Sequence, residues 1–337
     1  MLSYNLFIRF VDKKKESMNN ENDDVDCDLR RCQNMMLEAY ANLPSFDPWS
    51  VDDLRRVTAI VRAPWTEGGP VMKRTEEKYV GDYSTRIRFY YPTDEQKILP
   101  ALIYIHGGGW TIFSIDTHDR LMREYAHRTN VVVIGVDYSL SPEVKYPRAI
   151  EEIVSVIQWL RQQDSLELGI DIHRIAIGGD SAGANLSVAT NLRLRQLNEP
   201  VLIAQLLNYG AYDRLKPRSK SYELYDGPKY RLTVEEMDFF LKNYIRDERD
   251  FEDPLVCPLY ADLHGLPPSF LAIAECDVLA DENYAMADAL RNANVEVEER
   301  IYRRATHSFL EVVKIAAISD QAMNDAAHWL MKHLHKV

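Results

Sequence analysis

The chain has 337 residues, 46% hydrophobic and 27% charged, with 52 acidic against 40 basic side chains and a net charge of −12. That balance excludes a nucleic-acid binder, which needs a basic surface to follow phosphates, and no run approaches the ~20 apolar residues of a membrane span. Gly 14, Pro 15 and Cys 4 exclude collagenous, low-complexity and disulfide-scaffold classes.

Met1 to Phe10 is briefly apolar, but Lys13, Lys14 and Lys15 follow it and no small-residue cleavage site appears, the reverse of a secretory signal. The expected compartment is the cytoplasm, where the cysteines are reduced thiols. Met1–Ser17 reads as a dispensable extension and Met18–Asp24 as a polar, frayed start. Cys27 and Cys32 have no histidine at zinc-ligand spacing and are not read as a metal site. The first 60 or so residues read as helical and polar.

From Arg86 onward, short β-branched runs alternate with longer amphipathic ones, the pattern of βα units on a largely parallel sheet. The predicted strands are Arg86–Tyr91, Leu102–Ile105, Val131–Val136, Arg174–Ile177, Leu202–Leu207, Phe270–Ala274 and Glu296–Tyr302. The predicted helices are Tyr146–Gln163, Ala182–Gln196, Asn283–Ala293 and Asp320–His335. Runs as apolar as Val131–Val136 imply a sheet covered by helices on both faces. Tyr209–Arg249 breaks the alternation; its six tyrosines, with Pro217, Gly227 and Pro228, read as an insertion folded over a pocket.

Gly179-Asp180-Ser181-Ala182-Gly183 lies between a predicted strand and a predicted helix, the setting in which G-x-S-x-G forms a nucleophile elbow. The turn is sharp, the glycines remove clashing Cβ atoms, and the serine Oγ is expected exposed at the helix N-terminus. A phosphate loop is excluded because Ala184 stands where lysine is required and Asp180 would repel phosphate. His106-Gly107-Gly108-Gly109-Trp110 follows another predicted strand and reads as an oxyanion loop, since glycines let backbone amides approach a carbonyl oxygen. The chain order Ser, acid, His then directs the search for a base. His106, His118, His127 and His173 precede the serine, His264 precedes the last two strands, and His328, His333 and His335 fall on solvated or frayed turns of the terminal helix. His307 remains as the base. Strand alternation puts Glu275 and Asp277 on the same side and does not choose between them; Asp277, one step further into the loop, is the first choice of acid and Glu275 the second.

With these motifs, Asp116-Thr117-His118-Asp119-Arg120, Asp137-Tyr138-Ser139-Leu140-Ser141-Pro142-Glu143 and His307-Ser308-Phe309, the chain resembles the hormone-sensitive-lipase-like family of α/β-hydrolases, and within it the bacterial acetyl esterases. The resemblance runs from about Arg86 to the C-terminus, with Val278 and Ser308 departing from the family's Pro and Gly. It implies an α/β-hydrolase fold, a mostly parallel central sheet with helices on both faces and a helical cap. The chain then divides into 1–60 (extension and cap helices), 61–208 (core), 209–250 (cap insertion) and 251–337 (core).

The resemblance implies Ser181, Asp277 and His307 as catalytic residues and amides of Gly107, Gly108, Gly109 and Ala182 as the oxyanion hole, with Trp110, Asp180 and Tyr209 expected against substrate. It further implies hydrolysis of a small-molecule ester, acetyl to about C8, through an acyl-enzyme with no cofactor or metal. The tyrosine-rich insertion and Trp110 are expected to crowd the pocket. A second function class is an esterase scaffold that binds a transcription activator or a sugar hydrolase; a third is amide hydrolysis. A homodimer and a regulatory protein partner stay open.

Overall fold

The computed structural model describes residues 24–43, 50–93, 97–214 and 219–335; Met1–Ser17, nearly all of Met18–Asp24, and Pro217 lie outside them. The described residues form one eight-stranded sheet: β1 (Arg74–Val80), β2 (Thr85–Tyr91), β3 (Leu99–Ile105), β4 (Val132–Asp137), β5 (Ile170–Asp180), β6 (Gln205–Asn208), β7 (Ser269–Cys276) and β8 (Val297–Thr306). The spatial order is β1-β2-β4-β3-β5-β6-β7-β8. β2 runs antiparallel to both neighbours, and every pairing from β4 to β8 is parallel. β3 is buried at every position because helices cover both faces of the sheet centre.

The helices are α1 (Cys27–Ala41), α2 (Val51–Thr66), α3 (Asp119–Thr129), α4 (Arg148–Arg161), α5 (Ser165–Leu168), α6 (Ala182–Gln196), α7 (Lys220–Tyr225), α8 (Val234–Tyr244), α9 (Ala280–Asn292) and α10 (Ala317–Leu334). No helix among the described residues is long and apolar enough to cross a membrane. α3, α5 and β1 were not among the predicted elements. β1 is an edge strand with charged and exposed residues nearly throughout, so no alternation marks it. The expected boundary at residue 60 falls inside α2, which continues to Thr66 and ends just before Gly68, Gly69 and Pro70. Elsewhere the predicted elements are found, with ends shifted by up to a few residues.

Three helices outside the alternating core stand over one end of the sheet. α1 starts at Asp26, whose carboxylate accepts from the amides of Asp28 and Leu29, and it buries Leu29, Cys32, Gln33 and Met36 on one face. α2 starts with a reciprocal Ser50–Asp53 capping box, and α8 with Thr233–Glu236. Lys145 Nζ ties the C-terminal carbonyls of α8, those of Asn243 and Ile245, back to the core. Arg55, on α2, bonds the carbonyls of Thr111 and Ser141 and pairs with Glu143.

Of the terminal-helix histidines, His328 and His335 are exposed as expected and His333 differs. His333 is only 8% exposed, its ring 4.4 Å from that of Trp329, because it lies on the inward face of α10 with Leu330 and Leu334.

Candidate active site

β5 delivers Asp180 to the edge of the sheet and α6 begins at Ala182, leaving Ser181 alone to make the turn. Its backbone sits at φ 54°, ψ −118°, a conformation that L-residues rarely adopt and that the surrounding packing must hold. Both elbow glycines press against the carbonyl of Ile105, where a Cβ would overlap backbone. Ser181 is 7% exposed, at the floor of a cavity of about 180 Å³. The hydroxyl is thus less open than a bare elbow suggests, because α1, α2 and α8 all reach over it.

Ser181 Oγ lies 2.9 Å from His307 Nε2, and His307 Nδ1 lies 2.7 Å from Asp277 Oδ2. His307 stands just past β8 and Asp277 just past β7, so the parallel register of two adjacent strands sets their approach. Asp277 Oδ1 accepts from the amide of Leu279, which fixes the carboxylate. Glu275 is still within β7 and its carboxylate accepts from the amide of Arg304 instead, so the two acids that alternation left equivalent are separated by where the strand ends.

The glycine loop follows β3. Gly108 has φ 116° and Gly109 φ 56°, the left-handed region that favours glycine. A Cβ on Gly109 would strike the ring of Phe240 on α8, and one on Gly108 the carbonyl of Ile112. Among the described residues the amides of Gly108, Gly109 and Ala182 meet no acceptor. Gly107 departs from expectation: its amide donates to Asp180 Oδ1 at 3.1 Å, so it has no hydrogen left for an oxyanion.

Tyr209 does not line the cavity, and Asp180 borders it with its carboxylate engaged elsewhere. Asp180 is 1% exposed and its carboxylate turns inward, accepting from the Tyr104 hydroxyl at 2.9 Å and lying 3.4 Å from His118 Nε2. Burial pushes this carboxyl up, but His118, the Arg62 charge and the Tyr104 hydrogen bond outweigh it and hold the group at about 2. Tyr209 is fully buried, with its ring edge-on to His307 at 5.2 Å, because the chain turns inward straight after β6. Trp110 does reach the cavity wall; its ring stacks on Tyr244 at 4.5 Å and so joins the glycine loop to α8. The tyrosines of the insertion do not crowd the pocket. Tyr212 and Tyr244 go into the core, and the insertion lines the cavity with Leu232, Met237, Phe239 and Phe240.

The motifs that the triad search left unused brace this loop. The Tyr138 hydroxyl donates to the carbonyl of His106, and Ser141 N–H donates to that of Trp110 at 2.8 Å. His106 is buried against the Tyr138 ring, and burial together with neighbouring His118 lowers its basicity to about 3. Residue by residue reading missed Glu311, held between Arg62 and Arg231 beside the cavity, because no spacing in the sequence brings residues 62, 231 and 311 together. It also missed Phe240, which the pattern of α8 marks only as one more apolar residue.

An eight-stranded sheet with this order, a strained serine after β5, an acid after β7 and a histidine after β8 defines an α/β-hydrolase architecture. Residues 102–311 match the family described as alpha/beta hydrolase fold. An acetyl esterase of Salmonella choleraesuis is 36% identical over 86% of this chain and 91% of its own. Among solved structures, the esterase of the archaeon Pyrobaculum calidifontis superposes with a TM-score of 0.82 at 30% identity, covering 89% of this chain and 96% of that one. A thermostable esterase of Pseudomonas putida superposes with a TM-score of 0.83 at 28% identity, covering 94% and 100%. The chain belongs to the α/β-hydrolase-fold family, in its hormone-sensitive-lipase-like branch.

Proposed function

We propose that this protein hydrolyses carboxylic esters with short acyl groups, acetyl to about C8, through a covalent acyl-enzyme on Ser181. The observation that carries this reading is the hydrogen-bonded line from Ser181 Oγ through His307 to Asp277, set beside three backbone amides without acceptors. His307 Nε2 takes the serine proton as Oγ attacks the ester carbonyl, and Asp277 holds the imidazole tautomer and balances the imidazolium. Gly108, Gly109 and Ala182 amides receive the developing oxyanion, a contribution of ~3–4 kcal/mol for a well-placed donor. His307 then protonates the leaving alcohol, and the same base activates water to release the acid.

Phe240 supports the acyl limit. Its ring lies against Gly109, so an acyl chain leaving the oxyanion site meets an aromatic wall with Met237 beside it. The 36% identical acetyl esterase supports the same substrate class. The test is hydrolysis of p-nitrophenyl esters from C2 to C16 by wild type and Ser181→Ala. The expected result is short-chain turnover that falls by at least ~10⁴-fold in the variant. A fully active variant, or palmitate cleaved faster than acetate, overturns the assignment.

A further inference from the structure

The oxyanion loop and the base reach the nucleophile from opposite sides. The loop follows β3 and His307 follows β8, and β5, β6 and β7 lie between those two strands in the sheet. Pairing of β7 with β8 sets His307 against Asp277. The distance from the histidine turn to the oxyanion loop is left to whatever bridges them above the sheet.

Arg62, on α2, makes that bridge. Its Nε donates to the carbonyl of Thr117 at 2.8 Å, and its guanidinium lies 4.5 Å over the ring of Phe113, whose edge packs on Gly108. On the other side its Nη1 donates to Glu311 Oε1, in the turn Phe309–Val312 just past His307. Glu311 also accepts from Arg231 Nη2 at 3.1 Å, and its amide closes on the carbonyl of Ser308 at 3.2 Å. One carboxylate thus gathers α2, the insertion and the turn that carries the base. Arg62 and Glu311 are 4% and 5% exposed, so little water can stand in for a lost partner. Burial pushes the Glu311 carboxyl up, but the charges of Arg62 and Arg231 outweigh it and hold it below its usual range. The segments joined here do not rest in easy conformations. Phe113, Arg231 and Ser308 have φ 73°, 76° and 59°, left-handed backbones that a Cβ makes costly and that the surrounding contacts must maintain.

A buried ion pair of this kind adds little net stability, because taking both charges out of water offsets most of their attraction. What the planar arginine fork supplies is a fixed distance and direction. Resting on the ester-hydrolase reading above, we infer that Glu311 is a positioning residue: through Arg62 it sets the turn bearing His307 at a fixed distance from the loop bearing Gly108 and Gly109. It acts through His307 and not on the ester. Acylation and deacylation both need His307 Nε2 and the oxyanion amides in register, so a loosened bridge lowers kcat and leaves KM nearly alone.

The test measures kcat and KM on p-nitrophenyl acetate, with urea unfolding, for three variants. Glu311→Gln keeps the shape and loses the charge. Arg62→Lys keeps the charge, but one ammonium cannot serve both Thr117 and Glu311 as the fork does. Glu124→Gln is the control: it breaks a second buried group, Arg120–Glu124–Arg128 on α3, whose arginines bond Glu67 and Asp320 and not the loop or the turn. Glu311→Gln and Arg62→Lys are each expected to lose about 10–100-fold in kcat with KM held within about twofold. The control is expected to lose stability and to keep kcat within about twofold. If Glu311→Gln fails to fold, Arg62→Lys carries the comparison. Folded variants with wild-type kcat, a rise in KM alone, or an equal loss of kcat in Glu124→Gln overturns the inference. A wild type that cleaves no p-nitrophenyl acetate overturns the ester-hydrolase reading instead.

Discussion

Replacing Asp180 by alanine removes the acceptor on which the glycine loop and the serine turn are joined. Its Oδ1 takes the Tyr104 hydroxyl and the Gly107 amide, and its Oδ2 faces His118, all away from solvent. Alanine strands two buried donors. At ~1–3 kcal/mol for each unsatisfied buried group, the loss of stability is about 2–6 kcal/mol. A water entering the new space, which has polar partners on several sides, brings the result toward the lower figure. The Gly107 share falls on the loop that carries Gly108 and Gly109, so kcat is expected to fall about 10–100-fold while KM changes little. Asp180→Asn keeps the shape. Its amide oxygen serves Tyr104 and Gly107, its NH₂ meets His118, and most of the stability and turnover should survive.

The assay is urea unfolding with the slope checked against wild type, together with kcat and KM on p-nitrophenyl acetate. Alanine as stable as wild type, or asparagine as damaging as alanine, refutes the argument. Asparagine that raises KM alone would return Asp180 to substrate contact. The pH dependence has a fixed sign. The folded carboxyl, at about 2, sits below its usual range, so its stabilisation is present above about pH 4 and is lost as pH falls toward 2. The advantage of wild type over Asp180→Asn should shrink across that window.

Three other expectations follow from single contacts. Asp277→Asn should cost about 10⁴-fold in kcat through the wrong imidazole tautomer, whereas Glu275→Gln, which loses only the Arg304 amide, should stay near wild type; equal losses would reverse the choice of acid. Phe240→Ala should raise the C8-to-C2 ratio of kcat/KM on p-nitrophenyl esters by about tenfold, the scale of a few methylenes in an apolar pocket; an unchanged ratio would remove Phe240 as the acyl wall. Burial raises the Glu282 carboxyl to about 8, so the fold favours its protonated form and wild type loses stability as pH climbs from about 4.5 to 8. Glu282→Gln should therefore gain on wild type in thermal unfolding at pH 9 compared with pH 5, and a constant difference would show that Glu282 is ionised in the fold.

Features that depend on neighbours along the chain were legible in the sequence alone. Apolar runs such as Val131–Val136 mark strands, helical spacing marks α4 and α6, and the serine between two glycines marks a turn that few other residues could make. The base could be singled out because the fold class orders strand ends, and one histidine, His307, lies in the loop between the last strand and the terminal helix. β1 escaped because an exposed edge strand has no buried face to impose alternation. Tertiary structure decided everything that rests on residues far apart in sequence. The acid was separated from Glu275 by the point where β7 stops pairing with β8. Gly107 was lost as an oxyanion donor because Asp180, 73 residues on, takes its amide. Phe240 became a wall of the pocket only when α8 was laid across Gly109, and Arg62, Glu311 and Arg231 became one cluster only when three segments met. Spacing along the chain reports on local geometry, while burial, which sets the strength and the proton affinity of these contacts, belongs to the packed whole.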